Sequence, residues 1–170
     1  MSVRVLITGM SGTGKSTVTA ELARQGHRAV DLDSPAYSEL VPAPPGEITG
    51  VGGGMDWVWN AEKVAALLDA DSAEPLFLSG CSPNQGQFYP RLDRIILLTA
   101  PTGVIRDRLA SRTTNGFGKD PAELERTLAL IAEIEPLLRR SADLVIDTSA
   151  SLDEVVARVL EASRSADSGS

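Results

Sequence analysis

Val3-Arg4-Val5-Leu6-Ile7-Thr8 runs directly into Gly9-Met10-Ser11-Gly12-Thr13-Gly14-Lys15-Ser16. The first six residues, rich in Val, Leu and Ile, read as a strand buried on both faces. The next eight satisfy G-x-x-x-x-G-K-[ST], and the helical stretch after them carries Val18 and Leu22 on one side. The glycines let the backbone curl so that successive N–H groups face phosphate oxygens, and the helix N-terminus adds positive potential. Lys15 is placed to reach β- and γ-phosphates, and the Ser16 hydroxyl suits Mg²⁺. Gly9, Ser11, Gly12, Thr13, Gly14, Lys15, Ser16 and Thr17 are therefore candidate contacts for ATP with Mg²⁺.

Outward from this stretch, four more short apolar runs alternate with helical spacing. They are Arg28–Leu32, Leu76–Ser79, Arg94–Thr99 and Leu144–Asp147. Between and after them, Asn60 caps a helix with Ala61, Val64, Ala65 and Leu68 inward. Asp120, Pro121 and Glu123 read as N-cap, N1 and N3 of a second, with Leu124, Leu128, Ile131, Ile134 and Leu138 on its apolar face. Ser151 and Glu154 form a capping box before Leu152, Val155, Val156, Val159 and Leu160. Strands alternating with helices imply right-handed crossovers and a three-layer α/β/α sandwich around a parallel sheet. Residues 41–56, with five glycines and three prolines among them, read as irregular, and Ser163 to Ser170 as a frayed, flexible tail.

The chain has 170 residues, and 16 Lys and Arg against 23 Asp and Glu give a net charge of −7. That length allows one domain, taken as residues 1–163. An acidic surface argues against nucleic acid as a partner, because a phosphate backbone is gripped by cations. No run approaches the ~20 apolar residues needed to span a bilayer, and no signal peptide is visible. Cys81, the single cysteine, excludes an intrachain disulfide. A cytoplasmic monomer or weak homodimer, without membrane partners, is the expectation.

The P-loop between a first strand and a first helix, together with Asp31-Leu32-Asp33 at the end of the second strand, resembles the small P-loop kinases. These include shikimate, gluconate, adenylate and other nucleoside monophosphate kinases, and the likeness spans about residues 3–162. It implies a five-stranded parallel sheet of the P-loop NTPase type, an acceptor-binding segment at 34–60 and a lid at 112–120. By resemblance, Asp33 orients the acceptor hydroxyl and Asp31 the Mg²⁺ shell. A carboxylate at the C-terminal end of a parallel strand, facing the crevice, suits that chemistry. Arg108 and Arg112 resemble the arginines at the base of the lid, one on adenine and one on phosphate. Lys15, Asp33 and Arg112 are then the catalytic candidates. Asp147-Thr148-Ser149 resembles the adenine-contacting loop, so Asp147 joins the nucleotide contacts. Gly80 stands where such kinases bring glycine close to the acceptor.

Two departures bear on the substrate. Strand Leu76–Ser79 has no acidic residue at its end and so no Walker B aspartate, which favours the resembling kinases that borrow Asp31 and Asp33 for that role. Residues 34–75 contain no Arg and only Lys63, although a carboxylate or monophosphate acceptor requires charge-assisted donors. The segment offers Trp57 and Trp59 instead, which either stack on a ring or sugar or simply tuck into the domain. Asn84 or Gln85, in the polar run after Gly80, are candidates to line the acceptor site. A neutral hydroxyl-bearing acceptor, a nucleoside, sugar or similar, fits best. The alternatives are a nucleoside monophosphate kinase and an ATP-binding accessory protein with a protein partner.

Overall fold

A computed structural model describes residues 2–47, 49–111 and 120–168. Five parallel strands form the sheet: β1 (Arg4–Thr8), β2 (Arg28–Asp31), β5 (Leu76–Ser79), β6 (Arg94–Thr99) and β7 (Leu144–Asp147). Their order is β2-β5-β1-β6-β7, so the chain runs to one side of β1 and later to the other. Such a reversal opens a crevice at the C-terminal ends of the strands. Asp31 lies opposite Ser79, and Ser79 opposite Ile7. The chain therefore leaves β1, β2 and β5 side by side, which brings Gly9, Asp33 and Gly80 to one rim.

The two faces of β1 explain the layers. Val5, Leu6 and Ile7 are fully buried. Val5 and Ile7 pack with Val18 and Leu22 of α1 (Lys15–Arg24) and with Val155, Val156 and Val159 of α5 (Leu152–Asp167). Leu6 faces the opposite layer, where Val64 and Leu68 of α2 (Ala61–Asp69) pack with Leu32, Leu78, Trp59 and Phe88. Strict alternation along a strand buried on both faces produces this split. Two further helices follow β6: α3 (Thr102–Ala110) and α4 (Pro121–Ser141).

The three N-cap side chains accept as read. Asn60 Oδ1 accepts from the Lys63 amide at 3.1 Å, Asp120 Oδ1 from Ala122 at 2.9 Å and Ser151 Oγ from Glu154 at 3.3 Å. Three expectations change. The stretch read as irregular is flanked by an antiparallel hairpin, β3 (Ser38–Pro42) and β4 (Met55–Trp59), leaving 43–47 and 49–54 as loop among the described residues. Pro42 is tolerated because it ends an edge strand, where no ladder N–H is needed. Helix α5 continues to Asp167, through the stretch read as frayed. Its small residues Ala162 and Ser163 are buried against the sheet layer, and Ser163 Oγ bonds to the Leu160 carbonyl at 2.7 Å. On α4 the buried line is Thr127 and Leu138, while the Leu and Ile face is only half-buried.

Candidate functional site

The loop after β1 has the shape the motif demands. Gly9, Gly12 and Gly14 have φ of 154°, 83° and 95°. A Cβ on Gly9 would lie 2.5 Å from the Leu98 carbonyl oxygen, and one on Gly12 would lie 2.9 Å from Ile105 of α3. Both positions therefore exclude a side chain on steric grounds as well as by conformation. Thr13 Oγ1 donates to the Met10 carbonyl at 2.7 Å, and Lys15 Nζ reaches back to the carbonyls of Gly9 at 2.6 Å and Met10 at 3.0 Å. Helix α1 begins at Lys15 with no acidic residue in its first turn, so its N-terminus keeps its positive end for an anion.

Behind the loop, Thr148 and Arg108 lock the nucleotide side together. Thr148 Oγ1 donates to the Thr13 carbonyl at 2.7 Å. The Arg108 guanidinium donates to the Gly12 carbonyl at 3.1 Å, to Thr148 Oγ1 at 2.9 Å and to the Thr148 carbonyl at 2.7 Å. A cavity of about 1010 Å³ opens along this surface, lined by the loop, Arg108, Thr148, Ala150 and Leu152, and it reaches Asp33. Lys15 and Asp33, far apart in sequence, share that one space.

Asp33 is gripped on every side but one. Its Oδ1 accepts from the Trp59 indole Nε1 at 2.9 Å, and the Cys81 amide donates to both carboxylate oxygens at 3.1 Å. Its carbonyl accepts from Trp57 Nε1 at 3.0 Å, and its own amide donates to Asp31 Oδ1 at 2.9 Å. Burial pushes the Asp33 carboxyl above its usual range. Lys15, the Trp59 indole and the Cys81 amide pull the other way, and Asp31 adds to the rise. Burial likewise pushes the Cys81 thiol up, keeping it neutral.

A protein-family profile described as an AAA domain matches residues 5–129, most of the chain. The shikimate kinase of Mycobacterium avium is 30% identical over 155 residues, covering 88% of this chain and 86% of its own. The chain belongs to the small P-loop kinases. The dephospho-CoA kinase of Frankia casuarinae is 27% identical over 194 residues, covering 91% of this chain and 80% of its own. Among solved structures, a shikimate kinase from Acinetobacter baumannii in complex with shikimate superposes with a TM-score of 0.62 at 16% identity. That match spans 95% of this chain and 92% of the other, and it shows the shared fold.

Within this kinase, the sequence candidates fall into three groups. The P-loop residues, Arg108 and Asp33 converge on the cavity. Arg112 and most of the 112–120 segment lie outside the described residues. The remaining candidates are engaged otherwise. Asp147 turns into its own loop, accepting from the Ser149 amide at 2.8 Å and hydroxyl at 2.6 Å, which holds its carboxyl below the usual range. Thr148, one residue on, is the side chain that meets the P-loop; a buried threonine after a strand carries no distinctive sequence signal. Asn84 does not face the acceptor side freely: its Oδ1 accepts from the Trp59 amide at 3.3 Å and its Nδ2 donates to the Trp59 carbonyl at 2.9 Å. Gln85 is buried and spent on Thr8, the Ser82 amide and the Tyr89 hydroxyl. Gly80 has φ of 149°, and a Cβ there would lie 2.6 Å from Asp33 Oδ1 and 3.0 Å from Trp59. It is glycine to make room for Asp33.

The donor set also bears on Mg²⁺. Among the described residues no three His, Cys, Asp or Glu side chains converge into a metal cage. The Ser16 hydroxyl at the cavity and the Asp31 carboxylate at the end of β2 are hard oxygen donors. Few protein oxygens beside a phosphate site suit an ion that keeps most of its waters.

Proposed function

We propose that this kinase transfers the γ-phosphoryl group of ATP to a hydroxyl of a neutral small molecule such as a nucleoside or sugar. The observation that carries the reading is Asp33 opening into the same cavity as Lys15 and the P-loop. Among the described residues, the arginines lining that cavity, Arg24 and Arg108, stand on α1 and α3, and the hairpin segment beside Asp33 contributes none. Arg126 of α4 approaches the hairpin at Gly52, 3.0 Å from where a Cβ would be, and does not line the cavity. An anionic acceptor needs charge-assisted donors, and the described residues of the hairpin segment supply none.

In this reading the loop amides and Lys15 hold the β- and γ-phosphates. Mg²⁺, when bound through Ser16 and by way of Asp31, supplies charge neutralisation on those phosphates. Asp33 accepts the hydrogen bond of the acceptor hydroxyl and takes its proton as the oxygen attacks the γ-phosphorus in line. The bond from that phosphorus to the bridging oxygen breaks, and ADP leaves. Lys15 offsets the charge that develops on the transferred group. The test is ADP release measured with single acceptors: nucleosides, sugars, nucleoside monophosphates and shikimate. Acceleration by a neutral hydroxyl compound is expected. A faster rate with a monophosphate or with shikimate would overturn the neutral-acceptor reading.

A further inference from the structure

Trp57 and Trp59 stand two residues apart on β4, so they project to the same side, and both indole N–H groups end on Asp33. Neither is free to offer its polar edge to an acceptor. Trp59 is only 2% exposed and packs at a tilt against Phe88, with ring centroids 6.1 Å apart. Its main chain is fixed as well, donating to Ser82 Oγ at 3.2 Å and exchanging two hydrogen bonds with the Asn84 amide group. An indole held by its ring and its backbone is a rigid donor. Its partner has equally little freedom, because the Asp33 amide and carbonyl are each bonded and Gly80 leaves no slack beneath Oδ1.

The two carboxylate oxygens are therefore unequal. Oδ1 takes the Trp59 indole and the Cys81 amide, while Oδ2 takes only the shared Cys81 amide. Resting on the reading that Asp33 addresses the acceptor, we infer that Trp59 is a positioning residue whose indole N–H pins Oδ1, so that Oδ2 is the oxygen presented to the incoming hydroxyl. Trp57 anchors the main chain of the same residue, and its half-buried ring is the aromatic surface left to lie against an acceptor. A pre-set carboxylate loses no rotamer freedom at the moment of reaction, which is how such a contact raises kcat. A donor to a charged acceptor contributes more than a neutral pair, so its loss is felt as rate.

Two measurements test this without knowing the acceptor. In the full chain labelled with ¹⁵N-tryptophan, Asp33→Ala is expected to shift the Trp59 indole N–H resonance and speed its exchange with solvent. The Trp57 indole, bonded to a main-chain oxygen, should move much less. Equal or absent responses of the two indoles would overturn the clamp. With MgATP as probe and water in place of the acceptor, Trp59→Phe keeps an aromatic ring against Phe88 but removes the N–H with the pyrrole half of the indole. We expect kcat for hydrolysis to fall about tenfold with KM for ATP unchanged. An unchanged kcat, or a change in KM alone, would overturn the positioning role. If Trp59→Phe does not fold, the indole resonances of the wild-type and Asp33→Ala chains still decide the clamp. The underlying reading fails separately: Asp33→Asn retaining full hydrolysis would remove Asp33 from the chemistry while leaving the indole result standing.

Discussion

On the proposed reading, the nucleotide side and the acceptor side of this kinase meet in one cavity but are built from different materials. The nucleotide side is mostly backbone: glycines with positive φ, a helix N-terminus, and carbonyls that Arg108, Lys15 and Thr148 bind. The acceptor side centres on a side chain, a carboxylate held by an indole 26 residues away and by an amide 48 residues away, on a main chain that a second indole 24 residues away holds. Backbone recognition reads what all nucleoside triphosphates share. Side-chain recognition is where one kinase differs from another. The contrast implies that changes on the first side should cost phosphate binding and those on the second should cost transfer.

The largest effect should come from Lys15→Ala, which removes the P-loop cation that serves both phosphate binding and transfer. Transfer should fall by about a thousandfold or more while circular dichroism remains native, since Lys15 binds only loop carbonyls. Retained activity would break the contrast at its centre.

Asp33→Asn comes next. It keeps an acceptor for the Trp59 indole, so nucleotide affinity measured by calorimetry should hold while transfer falls roughly a hundredfold. Its pH behaviour has a definite sign. Burial raises the folded-state pKa of Asp33, so the ionised carboxylate costs stability above that pKa, and the cost vanishes once pH falls below the ordinary carboxylate range. The variant should therefore melt above wild type near neutral pH, with the gap closing as the buffer is acidified. A gap that widens in acid would show that Asp33 is not strained by burial.

Gly80→Ala should be smaller but sharper in meaning. Its Cβ would sit 2.6 Å from Asp33 Oδ1, at a φ of 149°. A stability loss of about 1–3 kcal/mol in urea unfolding, with kcat reduced and KM for ATP unchanged, is expected. The smallest effect belongs to Thr148→Val, which removes the hydroxyl joining Thr13 and Arg108. ATP affinity should weaken by about three- to tenfold, with little change in kcat at saturation. A kcat loss there would blur the division between the two sides.

Legibility follows the same division. The five parallel strands, three helix caps and the P-loop were readable because each is local: an apolar run, a cap at N3, a motif of eight residues. The hairpin leaves little signal in the sequence because SELVP and MDWVW are short, mixed in polarity, and separated by a long glycine- and proline-rich stretch. Trp57 and Trp59 were visible as aromatics next to a candidate site, yet their partner was not. A hydrogen bond from residue 59 to residue 33 leaves no periodic trace. Asn84 and Gln85 looked like substrate contacts because they are polar and follow Gly80. The fold needed them for its own buried donors and acceptors.

By itself, the sequence determined that this chain is an α/β phosphate-binding protein. Glycine conformation, helix polarity and strand burial are properties of a few consecutive residues. Only the tertiary structure decided that Gly80 yields space to a carboxylate, that one indole holds that carboxylate and another its main chain, and that Thr148 rather than Asp147 closes the nucleotide side. Those outcomes depend on which loops leave neighbouring strands together, and that is set by the order β2-β5-β1-β6-β7. Strand order arises from long-range packing, so the chemistry of the acceptor side becomes visible only once the chain is folded.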